Sequence, residues 1–325
     1  MIPERFALAG APTPMQPLPR MGKALGFAPG MLWAKRDDLT ALAGGGNKAR
    51  KLEYLVGEAL ARGCDTLVTA GAAQSNHVRM TGAAATMAGL SCVAVLGGHR
   101  PESPHAMEGN LVLDHLLGVE LEWVGDYDAA EVERSLAETT LRLACDGRCP
   151  YEIPLGGANP VGTLGYVQAA AEIISQAPLG ALVYTATGSG GTHAGLVVGF
   201  GHHDRVRGID VGAVSDVAHR IDDLVCAVAS LAHRPLPGGT LHLDTAHVGD
   251  GYGAHTAGAR EAMELAARLE GLVLDPVYSA KAMAGLMADR RDGRLAPTQP
   301  TVFLHTGGLP GMFTRRHSDW LAPPT

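Results

Sequence analysis

Between Asp65 and Ala144 the chain repeats one pattern: a short apolar run, a polar turn, then a helix-length stretch. Asp65–Ala70 (DTLVTA) reads as a strand, and Gly71-Ala72-Ala73-Gln74-Ser75-Asn76-His77 turns it into a helix ending near Ala88. Cys92–Leu96 and Val119–Val124 read as further strands, each followed by a helix, at about His105–Leu116 and Ala129–Ala144. Consecutive strand–helix units close a core by laying their strands parallel and covering the sheet with the helices. Each crossover is right-handed by default. Comparable units follow, with strands at Tyr151–Pro154, Ala181–Thr185, Gly208–Val214 and Thr301–His305. Helices are expected over Gly162–Ile174, Ala194–Phe200, Asp216–His233, Thr256–Leu269 and Ser279–Asp289. Met31–Lys35 reads as an edge strand, and the proline-rich first thirty residues as an extended arm. The class is therefore α/β. A chain of 325 residues exceeds what one core fills, so two open, mostly parallel-sheet domains are expected.

Ligands of open parallel sheets bind beside the turns at the carboxyl ends of strands, so the polar turns carry the functional signal. The first is Gly44–Leu60, GGGNKARKLEYLVGEAL, where three glycines allow a tight turn ahead of Asn47 and Lys48. Leu52, Leu55, Val56, Ala59 and Leu60 then recur at helical spacing and form one apolar face. The helix dipole disfavours a cation at such a start, and Arg50 and Lys51 add to the anomaly. A lysine held in a low-dielectric pocket loses its proton and becomes a nucleophile or Schiff-base former. The plainer alternative is a basic, solvated first turn. At the second turn, Ser75 and Asn76 with the exposed amides of a helix start suit an anion. Ser75 is either a simple N-cap or a cap that also touches substrate.

The third turn, Ala186-Thr187-Gly188-Ser189-Gly190-Gly191-Thr192-His193, joins a strand to an apolar helix. Its amides, rather than a basic side chain, would cradle a phosphate. It lacks the dinucleotide spacing, and no Walker lysine follows, so a nicotinamide dehydrogenase is disfavoured. Gly251-Tyr252-Gly253 puts an aromatic in a flexible loop, and Tyr278 stands where it could project inward as an acid. Asp275 and Pro276 are ordinary helix-entry residues. Thr306 lies at a strand end beside Gly307 and Gly308, whereas His305 reads as a core histidine.

A net charge of −7 with no basic aromatic patch argues against nucleic acid. No apolar run approaches the roughly eighteen residues of a membrane span, so no membrane partner is expected. The first twenty residues, with five prolines, do not read as a signal peptide. Five scattered cysteines do not make a disulfide scaffold, which points to a reducing, cytoplasmic compartment. Cys145 and Cys149 lack a completing histidine, and Asp37 and Asp38 lack a further carboxylate, so no metal is expected.

Taken in order, GGGNKARKLEYL, AGAAQSNHVR, TATGSGGTHAGL, LDPVYSAKAMAGL and FLHTGG resemble the pyridoxal-phosphate (PLP) enzymes of the tryptophan-synthase β-like fold, also called fold-type II. Within that group they are similar to the branch of D-cysteine desulfhydrase and 1-aminocyclopropane-1-carboxylate deaminase, from about Phe6 to Phe313. The resemblance implies a cofactor site between two domains, a large one of residues 1–50 and 165–325 and a small one of residues 51–164. It implies Lys48, not Lys51, as the lysine that carries PLP and then shuttles protons, and Asn76 as a donor to the cofactor's ring oxygen. Ser75 and His77 match substrate-side positions, and Ser75, Tyr252 and Tyr278 match catalytic ones. Thr187, Gly188, Ser189, Gly190, Gly191 and Thr192 match the phosphate cradle, and Thr306 matches the position facing the pyridine nitrogen. A homodimer is implied by the resemblance alone.

The deaminase is expected to carry glutamine at His77, glutamate at Ser279 and leucine at Thr306. Hydroxyls at the last two positions make a weaker electron sink, which favours β-elimination over ring opening. The expected reaction is therefore conversion of D-cysteine to pyruvate, hydrogen sulfide and ammonia. The alternative is L-cysteate, losing sulfite, if the pocket has a cationic or donor-rich lining for a sulfonate; His77, His99 and Arg79 are the candidates. Less favoured are a ring-opening deaminase and a non-catalytic PLP- or ligand-binding regulator.

Overall fold

The computed structural model describes residues 2–322. The strands are β1 (Met15–Pro17), β2 (Leu32–Arg36), β3 (Thr66–Ala72), β4 (Ser91–Gly97), β5 (Glu120–Trp123), β6 (Pro150–Ile153), β7 (Leu182–Thr187), β8 (Val206–Asp210), β9 (Leu243–Asp244) and β10 (Thr301–His305). The helices are α1 (Pro19–Ala24), α2 (Lys48–Ala61), α3 (Asn76–Ala88), α4 (Asn110–Leu116), α5 (Ala129–Cys145), α6 (Pro160–Gln176), α7 (Gly191–Phe200), α8 (Val217–Leu231), α9 (Ala257–Glu270), α10 (Ser279–Arg291) and α11 (Arg315–Leu321).

Two sheets divide the strands. One has the order β5-β4-β3-β6 and is parallel throughout; the other runs β1-β2-β10-β7-β8-β9 and is parallel except for β1. The protein thus has two α/β domains of the expected class. β2 is not an edge strand. The three-residue β1 pairs antiparallel along it, and the proline-rich arm supplies both that strand and α1. The expected helix from His105 begins instead at Asn110, because Gly109 (φ +56°) interrupts the chain there.

The helices form where the apolar spacing says they should. In α5 the buried Val132, Leu136 and Leu143 share one face, and Asp128 caps the start by accepting from the Ala130 and Glu131 amides. α7 is apolar all round and buried on all sides, packed closely on α6. A Cβ at Gly195 would strike the Tyr166 side chain at 2.5 Å, so glycine sets that close approach. α2 buries Leu52, Leu55, Val56 and Ala59 as expected, but Leu60 is exposed. Its other face is not a solvated basic turn, since Arg50 and Lys51 are both buried.

Candidate active site

The turn before α2 is built around Gly45. A Cβ there would lie 1.9 Å from the Asp38 carbonyl oxygen, and φ is +75°. Only glycine permits this approach. The turn delivers Lys48 as the first residue of α2, its Nζ donating to Asn47 Oδ1 at 2.9 Å. Asn47 is fixed at both ends, its amide N–H donating to the Thr306 carbonyl and its Nδ2 to Thr192 Oγ1. The start of α2 is thereby tied to the turn after β10 and to the start of α7 beside one amine.

The turn after β3 brings Ser75, Asn76 and His77 to the same cavity. Ser75 is the N-cap of α3, accepting from the Val78 amide at 3.2 Å. His77 is buried, with Nε2 2.9 Å from Thr69 Oγ1. Burial first, then the Lys48 and Lys51 charges, hold its pKa well below the ordinary histidine value. It is a neutral imidazole. His99 is on the exposed surface with Asp126, and Arg79 is buried behind Asn76. None of the three histidine and arginine candidates therefore presents a cation to the cavity.

Gly188, Ser189, Gly190 and Thr192 wall the cavity at the start of α7, with Gly191 opening that helix. Thr187 also lines the cavity, and its hydroxyl lies 3.3 Å from His193 Nδ1. Tyr252 and Tyr278 meet hydroxyl to hydroxyl, and the Tyr278 ring centroid is 5.9 Å from Lys48 Nζ. Burial raises both phenol pKa values, that of Tyr278 well above the ordinary one, so both stay protonated donors. Asp275 holds Tyr278 in place by accepting from the Val277, Tyr278 and Ser279 amides. Thr306 lines the cavity, while His305 is buried behind it.

Sequence reasoning missed two members of this wall. Tyr127, from the segment after β5, stacks at 5.3 Å on Tyr252 and donates to the Ala213 carbonyl. Nothing local marks it. Lys51 lies one turn beyond Lys48 on the same helix face, and its Nζ donates to the Gly156 carbonyl at 3.0 Å. A Cβ on Gly191 would sit 2.8 Å from that ammonium. The spacing of three from Lys48 was the available signal.

The site's electrostatics ask for an anion. Burial, then Lys48, depress the Lys51 pKa well below the ordinary lysine value. No carboxylate pairs with it among the described residues. A phosphate at the glycine-rich start of α7 would meet both the helix amides and this amine, whose protonated form a neighbouring anion favours, so the residues present fit PLP. Replacing Lys51 with methionine is expected to weaken PLP affinity about tenfold to a hundredfold, the range of a charge-assisted hydrogen bond. Equilibrium titration of the visible absorption band checks this. Burial and then the Arg79 charge lower Lys48 to about 8, with Asp275 opposing them. A neutral amine is accessible to it near neutral pH.

The chain belongs to the family of pyridoxal-phosphate dependent enzymes, whose family model matches residues 6–307. Within that family it is of the tryptophan-synthase β-like, ACC-deaminase-like kind, and its cofactor is PLP. A solved structure described as an ACC deaminase homologue is 38% identical, with 98% of this chain and 95% of that chain covered and a TM-score of 0.89. The processed form of threonine deaminase isoform 2 from Solanum lycopersicum is 17% identical, covering 93% of this chain and 80% of its own, with a TM-score of 0.65. A pyridoxal 5'-phosphate-dependent aspartate racemase is 14% identical, covering 91% and 90%, also at 0.65. These two share the fold alone. A PLP-dependent reaction of the elimination or lyase type is typical of this fold family. No helix among the described residues is long and apolar enough to cross a membrane.

Proposed function

We propose that this chain is a PLP-dependent carbon–sulfur lyase that converts D-cysteine to pyruvate, hydrogen sulfide and ammonia. The observation that carries the reading is the state of two hydroxyls. Ser279 Oγ donates to Asp275 Oδ1 at 2.6 Å and accepts from the Asp275 amide at 2.8 Å, so it is consumed by its own turn. Thr306 alone of the two lines the cavity. When bound, PLP supplies an electron sink for a carbanion at the substrate's α-carbon. Thr306 would be the residue to face the ring nitrogen, and a hydroxyl there would leave that sink weaker than a carboxylate partner would. A thiol leaves readily from such a centre, whereas a cyclopropane ring does not open readily.

The remaining roles follow from the side chains. Lys48 would hold the cofactor and, as a free amine, would take the α-proton. Ser75 accepts the Val78 amide and keeps its own hydroxyl proton for the substrate carboxylate. His77, neutral, offers shape and a hydrogen bond without charge. The Tyr252–Tyr278 pair, with both phenols protonated, supplies a proton to the departing sulfur.

One observation favours L-cysteate, losing sulfite, as a second reading. Arg316 is an exposed cation lining a vestibule of about 520 Å³ that adjoins Asn76, Tyr252 and Tyr278, and it donates to the Gly253 carbonyl. The two readings separate in one panel: D-cysteine, L-cysteine, L-cysteate, β-chloro-D-alanine, D-serine and 1-aminocyclopropane-1-carboxylate, with keto acid and leaving group both followed. Sulfide and pyruvate from D-cysteine, with little product from cysteate, is the expected outcome. Faster release of sulfite would transfer the assignment to cysteate and make Arg316 its anchor. 2-Oxobutyrate from the cyclopropane would contradict the reading of Ser279 and Thr306.

A further inference from the structure

On the side of Asn76 away from the cavity lies a guanidinium that the chemistry above leaves unused. Arg79 is one turn along α3 from Asn76 and fully buried. Its Nη1 donates to Asn76 Oδ1 at 2.8 Å and to Asn110 Oδ1 at 2.6 Å, and its Nη2 to the Gly45 carbonyl at 2.9 Å. A guanidinium has donors only, so the amide atoms it touches must be oxygens. Asn110 Nδ2 in turn donates to Asn76 Oδ1 at 3.1 Å and to the Gln74 carbonyl at 2.9 Å. Turning the Asn76 amide over would set its NH₂ against two donors. Its Nδ2 is therefore committed to the cavity, and it can serve only an acceptor there.

We propose that Arg79 is a positioning residue: it fixes Asn76 as a donor toward the cofactor's ring oxygen and, through Gly45, holds the turn that presents Lys48. The proposal rests on the reading of Lys48 and Asn76 given above. It joins two strand-end turns through one side chain, one from each sheet's side of the cavity.

The same cation acts on Lys48 through space. Lys48 faces Lys51 on its own helix, His77 and Arg79 on α3, Asp275 ahead of α10, and the Tyr252 and Tyr278 phenols. After burial, Arg79 is the principal influence lowering the Lys48 pKa, and Asp275 opposes it. The counter-charge of Arg79 is Asp114 on α4, whose two carboxyl oxygens have no hydrogen-bond partner among the described residues. Burial pushes the Asp114 carboxyl up to about 7, against the pull of Arg79. Arg79 is thus incompletely neutralised near pH 7 and keeps its field at Lys48.

Three variants separate geometry from charge. R79K keeps the charge, but one ammonium cannot span the three acceptors; R79M removes charge and geometry together; N110S removes the α4 tether and leaves the charge. The full-length protein is loaded with PLP for its visible band and dissociation constant, then stripped to follow the rate of PLP capture against pH. Wild type should show a capture midpoint near about 8. R79M is expected to move the midpoint upward by about one unit and to weaken PLP affinity about tenfold. R79K should leave the midpoint in place yet lose about tenfold in affinity, with a displaced absorption maximum. N110S should follow R79K in direction, with a smaller loss. Melting curves report folding, and if R79M does not fold the other two variants decide. Unchanged affinity and absorption maximum in folded R79K and N110S would overturn the proposal. Absence of the band in wild type would instead overturn the Lys48 reading, so the two failures are distinct.

Discussion

K48A is expected to lose at least about a thousandfold in turnover, the scale of a positioned general base, while melting close to wild type. The structural reason is that Lys48 is placed by others and supports little itself. Its Nζ has one hydrogen bond, to Asn47, and the helix it begins is anchored further along by the buried Leu52, Leu55 and Val56. Removing it also removes the visible band of the bound cofactor. K48R should not restore turnover, because a guanidinium stays charged and can neither carry the cofactor nor take a proton. Retained turnover in K48A, measured as pyruvate formed, would overturn the assignment.

Asp37→Ala is expected to cost about 3–5 kcal/mol, the scale of a buried ion pair broken from one side. Asp37 is fully buried and accepts from Arg50 Nε at 2.8 Å and Nη2 at 2.9 Å, from Thr13 Oγ1 at 2.7 Å and from the Tyr166 hydroxyl. Glu172 accepts from both Arg50 and Lys35, closing a network that ties the N-terminal arm, β2, α2 and α6. In the variant, the buried Arg50 keeps Glu172 but loses its fully buried carboxylate partner. Urea unfolding measures the loss, and D37L/R50M should recover part of it by replacing the pair with apolar volume. Full recovery is not expected, since Glu172 and Lys35 remain.

The same pair sets an acid limb. Burial alone would raise the Asp37 pKa, but the Arg50 charge and four hydrogen-bond donors hold it below the ordinary aspartate value. Glu172 is likewise held below the ordinary glutamate value. With folded pKa values depressed, the unfolded chain binds more protons in the window beneath the ordinary carboxylate range. The stabilisation is therefore complete above that range and is lost as pH falls through the depressed values. A stability profile of Asp37→Ala that parallels wild type through acid would remove this account.

The repeating units were legible because their signals are local. β3, its polar turn and α3 follow from DTLVTA, a Ser75 cap and a 3.6-residue period, and each is present. β1 and β9 were not legible, since strands of three and two residues carry no period; that is also why β2 read as an edge. Lys48, Ser75, Asn76, His77, Tyr252, Tyr278 and Thr306 do converge on one cavity. What the sequence could not supply was which way each side chain faces. Thr187 turns to His193, Ser279 is taken by Asp275, and Arg79 lies behind Asn76 rather than in the cavity. These partners lie six, four and three residues apart, so the pairings were possible locally; what fixes Arg79 behind Asn76 is its further contacts with Asn110 and Gly45, which are far away in the chain. Lys51 was visible, both as part of the basic anomaly at the start of α2 and as the lysine that does not carry PLP, but its place in the cavity wall was not.

Every role proposed above depends on Lys48 being the amine that carries PLP. Borohydride reduction fixes the cofactor to whichever amine holds it, and peptide mapping by mass spectrometry then locates the adduct. The expected result is a single pyridoxyl group on the peptide containing Lys48, with Lys51 unmodified. An adduct on Lys51, or one that persists at full yield in K48A, would contradict it.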